Sequence, residues 1–74
     1  MTKETLAQHI GRRIVERRDE MEMTQHKLSV LAKMSVSGLA ALERGLSEPT
    51  AGTIHRIAAA LEIKPAYFFE GFDG

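Results

Sequence analysis

Apolar residues recur along the chain at three- and four-residue spacing, and the breaks between these runs fall on residues that cap helices. Leu6, Ala7, Ile10, Ile14 and Met21 line one face of a proline-free segment from residue 4 to 22. That pattern predicts an amphipathic helix of about five turns. Gly11 lies inside it at a cost of about 1 kcal/mol against alanine, and its missing side chain leaves room for another helix to approach. The opposite face, with Arg12, Arg13, Glu16, Arg17 and Glu20, reads as solvated. Thr24 is suited to N-cap a second segment, in which Leu28, Leu31 and Ala32 share a face that ends near Lys33. Met34-Ser35 forms a brief link. Ser35 then caps a third helix with Leu39 and Leu42 as its buried residues, closed by Arg44 and a left-handed Gly45. After the loop Leu46-Ser47-Glu48-Pro49, Thr50 caps a fourth helix striped with Ile54, Ile57, Ala58 and Leu61. Pro65 opens a fifth, short helix bearing Tyr67, Phe68 and Phe69. No strand-type alternation and no sustained heptad seam occurs, so the expected fold is all-α: a compact five-helix bundle around one core.

A length of 74 residues fits one domain, residues 1–74, and leaves no room for a second core. A chain of this size buries only roughly 60% of its unfolded surface, so modest monomer stability and a gain from pairing are expected. The absence of cysteine removes disulfides, thiolate metal sites and a cysteine nucleophile together. It suits a reducing compartment, and a cytoplasmic location is expected. No apolar run approaches the roughly 20 residues needed to span a bilayer, and Met1 to Leu6 hold no apolar leader. His9, His26 and His55 lack the short spacing of a metal site and read as surface or half-buried residues. No phosphate-binding glycine loop and no catalytic constellation is visible, so neither a cofactor nor enzymatic activity is expected.

Charge alters the picture by its distribution. The formal net charge is zero, which runs against the basic balance usual for nucleic-acid binding. Yet residues 24–45 hold Lys27, Lys33 and Arg44 against Glu43, whereas residues 62–74 hold Glu62, Glu70 and Asp73 against Lys64. The basic excess thus falls on the second and third helices. Those two helices, joined by a tight turn, have the form of a helix-turn-helix, whose second helix enters a major groove about 12 Å wide.

Here the sequence resembles a known family. Thr24-Gln25-x-x-Leu28-Ser29-x-x-Ala32, followed by Ser35-x-Ser37-x-Leu39-x-x-Leu42-Glu43-Arg44-Gly45, is similar to the helix-turn-helix of lambda-repressor and Cro-like regulators. Ile10-Gly11-x-x-Ile14-x-x-x-Arg18 resembles the family's first helix. Pro49-Thr50-x-x-Thr53-Ile54-x-x-Ile57-Ala58-x-Ala60-Leu61 resembles its fourth, and Pro65-x-Tyr67-Phe68-Phe69 its fifth. The likeness covers residues 9–70.

The resemblance implies a lambda-repressor-like DNA-binding domain that regulates transcription by occupying duplex DNA, as small repressors, controller proteins and some antitoxins do. It implies that Gln25 faces the DNA backbone or outermost base, that Ser35, Val36, Ser37 and Ala41 meet base edges, with Val36 and Ala40 or Ala41 against thymine methyl groups, and that Arg44 touches phosphate. It also implies an internal ion pair between Arg18 and Glu43. Lys27 and Lys33 are further candidates for phosphate contact. Two departures stand out. Lys33 occupies a turn position where the family usually has glycine, which demands a left-handed or reshaped turn. The reading face carries Val36, Gly38, Ala40 and Ala41 where the family often has polar side chains, so thymine methyl contacts and DNA shape would carry more of the specificity.

Tyr67, Phe68, Phe69 and Phe72 are all of the chain's aromatic residues. A small core cannot enclose all four, and the surplus predicts a self-association surface, for which Tyr67, Phe68, Phe69 and Phe72 are the candidate residues. A homodimer would double the phosphate contacts and match a palindromic operator. The rival reading is a protein-interaction module that keeps the fold without base readout, motivated by the apolar set Val30, Leu31, Met34, Val36 and Ala40.

Overall fold

The computed structural model describes residues 3–73, and within them the chain forms four α-helices and one short 3-10 segment. The helices are α1 (Leu6–Glu20), α2 (Gln25–Leu31), α3 (Val36–Glu43) and α4 (Ala51–Ala60). The expected fifth helix is the 3-10 segment Pro65–Phe69. Its five residues begin with a proline, which has no N–H, and the turn closes through i to i+3 bonds such as Tyr67 N to Lys64 O at 3.0 Å.

One punctuation scheme bounds all four helices. Thr5, Thr24, Ser35 and Thr50 are the N-caps, and each side-chain oxygen accepts a backbone N–H from three residues on. Thr5 adds a reciprocal bond, its own N–H donating to Gln8 Oε1 at 2.9 Å, so α1 starts at a capping box. Each helix then ends on a left-handed residue: Glu22, Lys33, Gly45 and Glu62. The next residue, Met23, Met34, Leu46 or Ile63, returns its N–H to the carbonyl five positions back. That is the Schellman closure, completed by an apolar residue. Only one of the four uses glycine, so three carry the strain of a side chain at positive φ.

The core joins Ile10 and Ile14 of α1, Met23 of the first link, Leu28 and Ala32 around α2, Leu39 and Leu42 of α3, and Ile54, Ile57, Ala58 and Leu61 around α4. Phe68 from the 3-10 segment completes it, fully buried. Leu31, expected on the buried face of α2, is instead exposed at 48%. The helix is short, and Leu28, Ser29 and Ala32 already fill its inner side.

Gly11 sets how closely α1 and α3 meet. A Cβ there would run into the Leu42 carbonyl oxygen and lie 2.7 Å from that of Glu43. The backbone of α1 therefore rests directly on the C-terminal turn of α3. Gly45 is a second such point, at φ 73° with its would-be Cβ 2.8 Å from Gln8 Cα.

Candidate nucleic-acid interface

α3 buries Leu39 and Leu42, so its other side is set by the helical period. Val36 and Ser37 are exposed, Ala40 and Ala41 are half-buried, and Arg44 is exposed beyond the last turn. These five form one stripe. Ser35 stands at its head, exposed, with Oγ accepting the Gly38 N–H at 3.0 Å and lying 3.4 Å from Ser37 Oγ. Ser35 is thus a cap first, with one hydroxyl hydrogen to spare.

Gln25, the first residue of α2, is half-buried and donates from Nε2 to Glu43 Oε1 at 2.9 Å. The carboxylate is an acceptor, which fixes the amide: the nitrogen faces Glu43, and the carbonyl oxygen and second N–H remain available. Glu43 also receives Arg18, Nε at 2.9 Å and Nη2 at 3.2 Å. Arg18 reaches further, from Nη1 to Met23 O at 2.9 Å. The hydrogen bond to Glu43 raises the Arg18 pKa above its ordinary value, against the opposing effect of burial. α1, α2 and α3 are therefore tied at one polar node.

The cations separate into two sets. Arg12 binds Glu4 and Glu16. Arg13, expected on a solvated face, donates to Tyr67 O at 3.0 Å and lies over the Tyr67 ring at 3.8 Å. Arg17 donates to Leu61 O at 3.0 Å, and Arg56 to Ala32 O at 2.9 Å. Four of the six arginines thus bond across elements, and Arg12 pairs along α1. Lys27, Lys33 and Arg44 are exposed and make no side-chain bond among the described residues. The zero net charge hides this division, because most of the acidic groups that balance it are already paired with structural arginines.

The aromatic cluster also divides. Phe68 is buried in the core and is unavailable to a partner, which corrects its expected place at a dimer surface. Tyr67 is half-buried under Arg13. Phe72 is half-buried against the His9 ring at a centroid distance of 5.4 Å. Phe69 is 44% exposed. His9, expected near the surface, is 2% exposed. Its Nε2 donates to Glu70 O at 2.7 Å and Nδ1 lies 3.1 Å from Glu4 Oε1 and 3.1 Å from Arg12 Nη2. His9 occupies the same face of α1 as Ile10 and Arg13, and no periodicity distinguishes an apolar site from one that Glu70 and Phe72 cover.

No pocket opens among the described residues, no group of acidic or histidine side chains there could hold a metal ion, and no helix is long and apolar enough to cross a membrane. The α3 stripe and the exposed cations Lys27, Lys33 and Arg44 are the candidate recognition residues.

Residues 14–68 match the helix-turn-helix family model. The chain belongs to that family, the lambda-repressor and Cro type of helix-turn-helix regulator. It is 34% identical over 62 residues to y4wC of Sinorhizobium fredii, described as an uncharacterized HTH-type transcriptional regulator, covering 84% of this chain and 43% of that protein. The chain therefore spans less than half the length of the curated relatives it matches. The restriction-modification controller protein C.AhdI of Aeromonas hydrophila superposes with a TM-score of 0.82 at 28% identity, covering 85% of this chain and 96% of that one. The P22 c2 repressor, solved with a synthetic operator, superposes with a TM-score of 0.78 at 27% identity over 84% and 94%.

Proposed function

We propose that this chain binds duplex DNA as a homodimer and regulates transcription by occupying a palindromic operator. The carrying observation is the α3 stripe: an exposed helix face in a motif whose cations Lys27, Lys33 and Arg44 are exposed and make no side-chain bond among the described residues, on a fold whose other arginines are spent internally. The likeness to a repressor solved on its operator and to a controller protein supports this reading.

Ser37 and the remaining hydroxyl hydrogen of Ser35 supply the polar contacts at the head of the helix. Val36, Ala40 and Ala41 offer methyl groups to thymine. Gln25 presents a carbonyl oxygen and one N–H, a pair able to match the N6 and N7 edge of adenine or, through the N–H alone, a phosphate. Lys27, Lys33 and Arg44 take phosphates. Phe69, with the rims of Tyr67 and Phe72, forms the self-association surface. The site of action is the cytoplasm, where duplex DNA is met. A protein-interaction role is the second reading, favoured by the exposure of Val30 at 61%, Leu31 at 48% and Val36 at 39%.

Selection from random duplex DNA tests the proposal. A palindrome is expected to enrich, and its affinity should fall steeply with salt. The double variant Q25A/S37A should lose preference for that palindrome while keeping its helical content. Failure of any duplex to enrich overturns DNA reading and favours the protein partner.

A further inference from the structure

The turn between α2 and α3 is the hinge on which the reading helix hangs, and it is built against local preference. Lys33 holds φ at 57°, a left-handed conformation that a side chain with a Cβ disfavours. Three bonds close around it. Lys33 N–H donates to Val30 O at 3.1 Å and Met34 N–H to Ser29 O at 2.9 Å. The third comes from outside the motif: Arg56, on α4, donates from Nε to Ala32 O at 2.9 Å. Ala32 is the C-cap of α2 and the residue directly before Lys33. Its carbonyl is among those a helix end leaves without an intrahelical partner.

Arg56 is itself held. Its Nη2 donates to Thr53 Oγ1 at 3.2 Å, and Thr53 Oγ1 accepts from the Thr50 hydroxyl at 3.0 Å, at the N-cap of α4. Ile54, Ile57 and Ala58 anchor that helix in the core. The guanidinium therefore delivers a fixed, charged donor from a rigid helix to the one peptide that precedes the strained residue. Charge on the donor strengthens the bond and complements the negative end of α2.

We propose that Arg56 is a positioning residue for DNA reading. By clamping the Ala32 carbonyl it keeps the glycine-free turn in its left-handed form and so fixes the angle of α3 to α2. It touches no DNA. The role rests on the DNA-reading function proposed above, and the clamp itself can be measured without DNA.

The test compares the full chain with R56M and with R56M/K33G, at a temperature where thermal unfolding shows all three folded. Without DNA, amide hydrogen exchange at Lys33 and Met34 should speed up at least about tenfold in R56M, the scale of one charge-assisted bond lost. K33G, which relieves the left-handed residue, should recover part of the protection at Met34. Unchanged exchange in R56M overturns the clamp. With DNA, the selected palindrome and a random duplex are titrated over a salt series. R56M should lower the ratio of specific to non-specific affinity about tenfold while leaving the salt slope of non-specific binding unchanged. A slope reduced by about one phosphate makes Arg56 a DNA contact and overturns the proposal. An unchanged ratio beside faster exchange makes the clamp purely structural and also overturns it. If the unmodified chain prefers no duplex, the DNA-reading function fails and the positioning role with it, whereas the exchange result still decides the clamp.

Discussion

Arg18 on α1 and Glu43 at the end of α3 form a two-bond ion pair, and the Glu43 side chain is only 6% exposed. Neither partner is dispensable alone. Removing Arg18 leaves a buried carboxylate with Gln25 as its remaining side-chain donor. R18M should therefore cost about 3 kcal/mol in urea unfolding, whereas R18M/E43L, which removes both charges, should regain most of the loss. Equal destabilisation in the single and double variants would show that packing of the Arg18 stem, not the buried charge, is what matters.

The contact of α1 with α3 depends on an absent side chain. Alanine at position 11 would improve helix propensity by about 1 kcal/mol. Its Cβ would meet two backbone carbonyls of α3, which no rotamer change relieves. G11A should lower stability by about 2 kcal/mol, the scale of overpacking in a tight contact. A chain made more stable by G11A would mean that α3 can shift outward freely.

Under the proposed DNA-binding reading, Lys33 sets stability against a phosphate contact. K33G releases a strained left-handed residue and should stabilise the domain by about 1 kcal/mol. It also deletes an exposed cation beside the reading helix, so the salt dependence of DNA binding should weaken by about one phosphate. Thermal unfolding and a salt titration of the same variant measure the two effects separately. A salt slope equal to that of the unmodified chain would place Lys33 away from the DNA.

Much of this architecture is legible in the chain because its local signals agree. Thr24, Ser35 and Thr50 announce helix starts by chemistry, and the spacing of Ile54, Ile57 and Leu61 announces a buried face by geometry. The node of Arg18 and Glu43 was readable only through the family resemblance, since 25 residues separate them. Less visible is what depends on distant backbone. Arg13, Arg17 and Arg56 look like ordinary surface cations in sequence, yet each binds a carbonyl 24 to 54 residues away. His9 likewise becomes buried only when Glu70 and Phe72 fold over it. Left-handed Glu22 and Glu62 carry no glycine to mark them. The apolar residues that follow, Met23 and Ile63, were the available signal for those helix ends.

Acid should loosen the join between α1 and the chain's C-terminal residues. Glu4 accepts from Arg12 Nε at 2.9 Å and also lies beside His9, and the Arg12 bond, aided by His9, holds its pKa below the ordinary 4.5 despite an opposing effect of desolvation. A carboxylate lowered in the folded state favours folding in its ionised form. Its contribution is complete above pH 4.5 and disappears as pH falls through the lowered value. The stability difference between the unmodified chain and E4Q should therefore be constant near neutrality and shrink below pH 4.5. A difference that persists undiminished into strong acid would assign the effect to the shape of the side chain instead.

Phe68 and Phe69 are neighbours with opposite roles, and substituting each separates folding from pairing. Phe68 is fully buried and Phe69 is 44% exposed. F68A opens a cavity in a core too small to absorb it, and should cost about 3 to 5 kcal/mol, enough to unfold much of a domain of this size at 37 °C. F69S removes apolar surface that water already reaches and should change the stability of the isolated chain by less than about 0.5 kcal/mol. If the exposed ring lies at the homodimer surface, F69S should instead raise the dimer dissociation constant about tenfold or more, the loss expected when a central aromatic anchor is truncated. Sedimentation equilibrium across a concentration series reads that constant directly, and circular dichroism of the same samples reports folding. A dimer unaffected by F69S would place the self-association surface elsewhere on the chain. Monomers at every concentration, in the unmodified protein as well, would leave each half of the palindrome to be bound independently, with no cooperativity between half-sites in a DNA titration.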